Sequence, residues 1–184
     1  MRKVFLFTLL FSLLQSSLFA QEKKDQKTTV TPAAIPAPAA DSLPYQKYPK
    51  LPAFNILEMD SVTIFNTYNI PAGKKTILLF FSPDCGHCQM LMRNLIKNMD
   101  SLKDVQFYMM TVVHSMTTLR NFYNEYHLAD YKNIHVVGRD YEFFYIPYYG
   151  IKNFPDMALY DEHKKLIKLF EGDIPLTQLF PYVR

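Results

Sequence analysis

Residues 76–88 read TILLFFSPDCGHC. The first six of them, Thr76 to Phe81, form a continuous apolar run, which is typical of a central strand covered on both faces. The turn that follows contains the chain's two cysteines, Cys85 and Cys88. Beyond it, apolar residues recur at steps of three and four and predict one buried face of a helix of about four turns: positions 88, 91, 92, 95, 96, 99 and 102. The two thiols are therefore expected where a buried strand passes into a helix N-terminus.

The rest of the chain alternates between predicted strands and helices. Segments 105–113 and 134–137 are predicted strands, and 117–127 is a predicted helix. Then come a helix at 140–149, with Asp140 near its start and Pro147 expected to bend or end it, a hairpin of 157–160 with 166–170, and a closing helix at 175–182. This order predicts an α/β fold, a central mixed sheet with helices on both faces.

Three domains are predicted along the chain. Residues 1–20 resemble a secretory signal: Arg2 and Lys3 precede an eleven-residue apolar run, and small residues lead to Ala20. An uncleaved membrane anchor is the alternative. Residues 21–50, rich in Pro and Ala, are a predicted linker, and 51–184 a predicted single domain. We therefore expect export, to the periplasm in a bacterium, with a membrane tether if the signal stays.

Composition excludes several classes of protein. The chain has 184 residues, 49% apolar and 15% aromatic, which is a globular balance. A formal charge of +3 is too small and too dispersed for a nucleic-acid surface. Two cysteines within a stretch of four residues cannot pin distant segments, so a disulfide-stapled miniprotein is excluded.

The Cys85-Gly86-His87-Cys88 motif at a strand-to-helix junction, with Phe154-Pro155 before the later hairpin, resembles the thioredoxin fold. The segment before the core and the long insertion that precedes Phe154-Pro155 are similar to exported reductases of the TlpA and ResA kind. The resemblance covers about residues 51–184. In that family a cis-proline faces a redox-active dithiol, so it implies that Pro155 is cis and that Phe154 and Pro155 bind substrate.

The resemblance also implies roles for the motif. A thiolate is the attacking species in disulfide exchange, and a helix N-terminus favours it, so Cys85 is the expected nucleophile. Cys88, one turn on, is the expected resolving thiol, and the two form the redox-active disulfide. His87, when protonated, is expected to stabilise the Cys85 thiolate and to raise the reduction potential.

Two positions differ from thioredoxin. Asp84 stands where thioredoxins carry Trp before the nucleophile, and its carboxylate opposes a second negative charge. Leu79 stands where thioredoxin has a buried acid that takes the proton of the resolving thiol. Another group must then receive the proton of Cys88, with water, His87 or a different carboxylate as candidates.

The motif and the resemblance together predict an exported thiol–disulfide oxidoreductase that acts on proteins with disulfides or thiols, and the resemblance favours the reductase direction. A membrane thiol carrier is the expected electron donor, no cofactor or metal is required, and we expect a monomer that binds no nucleic acid. Activity as an oxidase or as an isomerase is the alternative to the reductase direction. The alternatives from other classes are a non-catalytic thioredoxin-fold binding module and a copper carrier for a membrane complex, the latter because nine methionines supply soft ligands.

The aromatic run at 141–149 has two interpretations. As a buried helix face it would pack in the core, and as a rim near Phe154-Pro155 it would contact peptides. The buried face is the favoured interpretation.

Overall fold

The computed structural model describes residues 42–183. Seven strands lie within this range: β1 Asn55–Glu58, β2 Ile64–Asn66, β3 Thr76–Phe80, β4 Gln106–Thr111, β5 Ile134–Arg139, β6 Asp156–Tyr160 and β7 Leu166–Glu171. Five α-helices accompany them: α1 Pro44–Lys47, α2 Gly86–Lys97, α3 Met116–Glu125, α4 Tyr145–Tyr149 and α5 Phe180–Val183. The strand and helix predicted around residues 76–88 are thus confirmed.

All seven strands form one mixed sheet in the order β2-β1-β5-β4-β3-β6-β7. The central strands β3, β4 and β5 run parallel, whereas β6 is antiparallel to β3 and pairs with β7 as a hairpin. All five residues of β3 are buried, as its unbroken apolar run predicted. The strand that leads to Cys85 is therefore buried on both faces of the sheet.

Alternate residues of β3 feed two separate cores. Ile77 and Leu79 join the core under α2, α3 and α5, while Leu78 and Phe80 join the one under α4. Helices therefore cover both faces, which confirms the predicted α/β architecture. Close packing also explains Gly138 in β5, because a Cβ there would lie 2.6 Å from the Leu57 carbonyl oxygen.

The predicted helix at 140–149 is wrong in its first half. The Asp140 carboxylate accepts the N–H groups of Glu142 (3.1 Å) and Tyr145 (2.9 Å), and Phe143 adopts a positive φ of 57°, so residues 141–144 form a turn. Pro147 neither bends nor ends α4. It lies in the first turn, where its missing N–H has no intrahelical acceptor to lose.

The closing helix predicted at 175–182 is two short pieces, a 3₁₀ turn at Leu176–Gln178 and α5. Pro181 explains the break, since proline cannot donate to the preceding turn. The hairpin around 161–164 is confirmed.

The last part of the predicted linker lies against the domain. The Tyr45 ring stacks on Tyr149, with centroids 5.9 Å apart, and Lys50 forms an isolated bridge with Lys165. The Leu51 N–H donates to the Lys164 carbonyl at 2.9 Å. The predicted signal, 1–20, and the linker up to residue 41 lie outside the described residues. Within 42–183, none of the helices has the length and apolarity that crossing a bilayer requires.

Candidate active site

Cys85 is the N-cap residue of α2. Its backbone is extended (φ −86°, ψ 119°), and its carbonyl accepts the Gln89 N–H at 3.0 Å, the first bond of the helix. Its own N–H donates to the Ser82 carbonyl at 3.1 Å, closing the turn that follows β3. The first N–H groups of a helix have no intrahelical acceptor, so Cys85 lies at a pole that favours negative charge.

Cys88 lies one turn inside the helix and is 2% exposed. Its Sγ accepts the backbone N–H of Ser82 at 3.4 Å. Burial raises the pKa of this thiol to about 12, and the Ser82 N–H acts in the opposite direction. Both cysteines are free thiols in the structure, with Cys85 only partly buried. The two sulfurs therefore differ in their burial, and Cys85 is the more accessible of the two.

Cys85 faces the loop that carries Pro155. The Phe154–Pro155 peptide bond is cis, and the Cys85 Sγ lies 3.5 Å from the Phe154 carbonyl oxygen, to which it can donate. Phe154 and Cys85 are 69 positions apart in sequence. The structure thus brings together the motif and the X-Pro pair that the sequence singled out.

An open groove surrounds the exposed side of Cys85. It is lined by seven residues from three segments: Cys85, His87, Lys152, Asn153, Phe154, Gly172 and Asp173. Two of the segments, 152–154 and 172–173, flank the β6–β7 hairpin. The groove is open enough for an extended polypeptide to reach the Cys85 sulfur.

His87 pairs with a carboxylate from the far side of this groove. Its Nδ1 lies 3.7 Å from Asp173 Oδ2, and its side chain is 71% exposed. Among the described residues, no hydrogen bond joins His87 to Cys85. The polar contact of the imidazole is therefore with Asp173 rather than with the Cys85 sulfur.

Leu79 and Asp84, the two positions that differ from thioredoxin, have different environments. Leu79 is 1% exposed in the core under α2, and Asp84 is exposed beside Cys85. No acid in the middle of β3 can take the proton of Cys88, because the neighbouring positions of that strand are also apolar.

One buried acid was missed by the sequence reasoning. Asp156, directly after Pro155, is 4% exposed and accepts the Gly172 N–H at 2.7 Å. It lies opposite Glu171 in the β6–β7 register, so two carboxylates share one face of the hairpin. Burial, with Glu171 adding to it, raises the pKa of Asp156 to about 6. A signal was present, since an acid at the start of a buried strand is unusual.

We expect Asp156→Asn to stabilise the protein at neutral pH and to change little in acid. The folded chain holds a proton on Asp156 that the unfolded chain has already lost, so stability falls as pH rises from about 4 through about 6. A rise from 3.8 to about 6 corresponds to at most about 3 kcal/mol. Asn keeps an oxygen to accept the Gly172 N–H. Urea unfolding of both proteins at about pH 4 and about pH 8 measures the difference.

Asp161→Asn is the matched control, because hydrogen bonds from the Lys165 and His163 N–H groups lower the pKa of Asp161. This substitution should cost stability at neutral pH and little below the Asp161 pKa. An unchanged pH profile of stability in Asp156→Asn would contradict the assignment.

Within residues 42–183, no group of three or more His, Cys, Asp or Glu side chains is arranged to hold a metal ion.

Comparisons with known proteins agree with the architecture. The family model described as a thioredoxin-like domain matches residues 68–184. No curated protein matches the sequence.

Three solved structures resemble the fold. StoA from Bacillus subtilis is 18% identical, with 72% of this chain and 97% of that chain covered and a TM-score of 0.54. A secreted Mycobacterium tuberculosis disulfide oxidoreductase is 16% identical, with 71% and 93% covered and a TM-score of 0.58. A domain of a possible thiol-disulfide isomerase from Cytophaga hutchinsonii is 25% identical, with 72% and 87% covered and a TM-score of 0.53. With the family model spanning the sheet from β3 onward and both halves of the groove, the chain belongs to the thioredoxin-like domain family.

Proposed function

We propose that this protein is an exported thiol–disulfide oxidoreductase that reduces protein disulfides through Cys85-Gly86-His87-Cys88. One observation carries the proposal: two free thiols lie one helical turn apart, one facing an open groove and the other 2% exposed. Such an unequal pair suits sequential attack, first on a substrate and then on the enzyme's own mixed disulfide.

The reaction has two exchange steps. The Cys85 thiolate attacks one sulfur of a substrate disulfide, a Cys85–substrate bond forms, and the other substrate sulfur leaves as a thiolate that takes up a proton. Cys88 then loses its proton and attacks the Cys85 sulfur. A Cys85–Cys88 disulfide forms and the second substrate sulfur leaves, so two electrons pass from the dithiol to the substrate.

Phe154 and Pro155 are proposed to bind the substrate backbone. In the thiol state the Phe154 carbonyl faces the Cys85 sulfhydryl at 3.5 Å. The mixed disulfide has no sulfhydryl hydrogen on Cys85, so that carbonyl is freed to accept a backbone N–H of the substrate. Pro155 contributes no N–H of its own, which leaves this edge with an acceptor.

The reductase direction is supported by the position of His87. A strong oxidant owes its high potential to a stabilised reduced form. Here the imidazole contacts Asp173 rather than the Cys85 sulfur, and Asp84 precedes the nucleophile in the chain, so no described contact of these two residues stabilises the reduced form. We therefore assign the pair a reducing potential.

An equilibrium titration against glutathione tests the direction. Thioredoxin lies at about −270 mV and a strong oxidant at about −120 mV, so a reductase should have most of its Cys85–Cys88 pair oxidised at about −200 mV. Alkylation of free thiols followed by mass measurement gives the oxidised fraction at each poise. A pair that stays mostly reduced there would overturn the reductase assignment in favour of an oxidase.

The proposed site of action is an oxidising compartment outside the cytoplasm. The predicted signal at 1–20 supports delivery to an oxidising compartment, and one of the similar structures is of a secreted protein. A reductase in such a compartment needs a source of electrons, for which we propose a membrane thiol carrier that acts on the Cys85–Cys88 disulfide. The protein is proposed to act as a monomer.

A further inference from the structure

Asp156, the first residue of β6, is an acid in an otherwise apolar and aromatic strand. It directly follows the cis-proline Pro155, and it is 4% exposed. The other four residues of the strand, 157–160, are also buried. Neither exchange step of the proposed reaction uses this carboxyl. A buried acid costs stability unless it is hydrogen-bonded, so the partner of Asp156 indicates what it does.

The Asp156 carboxylate joins the two sides of the groove at Cys85. Its Oδ1 accepts the N–H of Gly172, 16 positions later, at 2.7 Å. Gly172 lines the groove from the end of β7, whereas residues 152–154 line it from the segment before β6. The register of the hairpin ends with Asp156 opposite Glu171, so this side-chain bond extends the pairing by one residue. The two segments are therefore tied together where they leave the sheet.

The chain turns out of the sheet at Gly172. This residue has a φ of 75°, and a Cβ there would meet no atom within 4 Å, so the backbone conformation rather than space favours glycine. The next residue, Asp173, contacts His87 at 3.7 Å. The His87 side chain is 71% exposed, and exposed contacts of this kind contribute little. The buried bond to Asp156 is therefore the stronger of these two polar contacts of segment 172–173.

Resting on the function proposed above, we propose that Asp156 is a positioning residue that holds segment 172–173 beside Cys85 and so sets how tightly the groove binds a polypeptide substrate. No described contact joins its carboxyl to either thiol, so it acts through the position of this segment and not on the reacting sulfurs. A polypeptide that lies along the groove contacts segment 172–173. A small disulfide needs only the Cys85 sulfur.

Steady-state kinetics with two substrates test this role. Asp156→Ala removes the acceptor of the Gly172 N–H, and we expect its KM for insulin to rise about fivefold, the size typical of losing one hydrogen bond. Its kcat, and its rate with the small disulfide dithiobis-nitrobenzoate, should change less than about twofold. Asp156→Asn restores an oxygen acceptor and should return the KM to within about twofold of wild type. A general loss of folded protein would instead lower the rates with both substrates together.

Glu171→Gln is the matched control for charge. It removes the carboxylate opposite Asp156 in the same register and leaves the bond to Gly172 in place. Its KM for insulin and its rate with the small disulfide should both match wild type. If Glu171→Gln raises the KM as much as Asp156→Ala does, loss of charge is the cause and the inference is wrong.

Amide hydrogen exchange of the wild type provides a second test, which does not depend on the folding of any variant. After correction for intrinsic rates, the Gly172 N–H should exchange at least about tenfold more slowly than that of Asp173. If the two exchange equally fast, or if Asp156→Ala keeps the wild-type KM for insulin, the inference is wrong and the proposed function stands. If the wild type itself does not reduce insulin, the proposed function fails.

Discussion

Replacing Cys85 with serine should reduce turnover of a protein disulfide by about a thousandfold or more, to the rate of the uncatalysed assay. A serine hydroxyl stays protonated at neutral pH and is a poor nucleophile toward sulfur, so the first exchange step is lost. Reduction of insulin by the wild type and by Cys85→Ser, with dithiothreitol as electron source, measures the difference.

The fold should survive this change, so the loss can be assigned to chemistry. Cys85 is the N-cap residue of α2, and serine is among the most favoured residues there. Gln89→Ala serves as a control, because Gln89 contacts the same turn through the Pro83 carbonyl and carries no thiol. Full turnover by Cys85→Ser would rule out the catalytic role and leave the binding-module alternative.

Replacing Cys88 with alanine should also abolish turnover, but by a different route. In this variant Cys85 still lies in the open groove and can still attack a substrate disulfide, so covalent Cys85–substrate disulfides form. They then persist, because no thiol one turn along α2 is present to resolve them. Alanine removes the sulfur that accepts the Ser82 N–H, and the control described below carries the same substitution, so any loss of stability is common to both variants. Non-reducing gels of cells expressing the variant should show higher-mass species that disappear on addition of dithiothreitol.

The double substitution Cys85→Ser with Cys88→Ala is the control for this trap, since it removes the attacking sulfur and should form none of these species. Mass spectrometry of the trapped partners would name the substrates. If Cys88→Ala forms no covalent species in the compartment to which the protein is exported, protein substrates are excluded.

Local pattern alone predicted the central part of this fold. The apolar run of β3 and the three-and-four spacing of α2 are strong signals because both elements bury their residues continuously. The pattern failed at 140–149, where a side chain competed with the helix. The Asp140 carboxylate accepts the backbone N–H groups of Glu142 and Tyr145, and aromatic spacing carries no information about such a turn.

In the candidate site, too, some residues were predictable from local sequence and others were not. The thiols and the X-Pro pair follow from the motif and its resemblance, whereas the burial of Asp156 depends on contacts between distant segments. Packing of the sheet buries Asp156 and raises its pKa, and the register of β6 against β7 adds to this effect by placing Glu171 opposite it. Neither register nor packing is encoded in a short window of sequence.

The 69 positions between Cys85 and Phe154 also bear on how the protein matures. The dithiol is complete within four consecutive residues, so an unfolded chain can already attack any disulfide that it meets. Phe154 comes to lie beside Cys85 only when β6 pairs with β3, and this pairing requires the closure of a long loop. Under the proposed function, the thiols are therefore reactive before the proposed substrate-binding residues Phe154 and Pro155 come into place beside them.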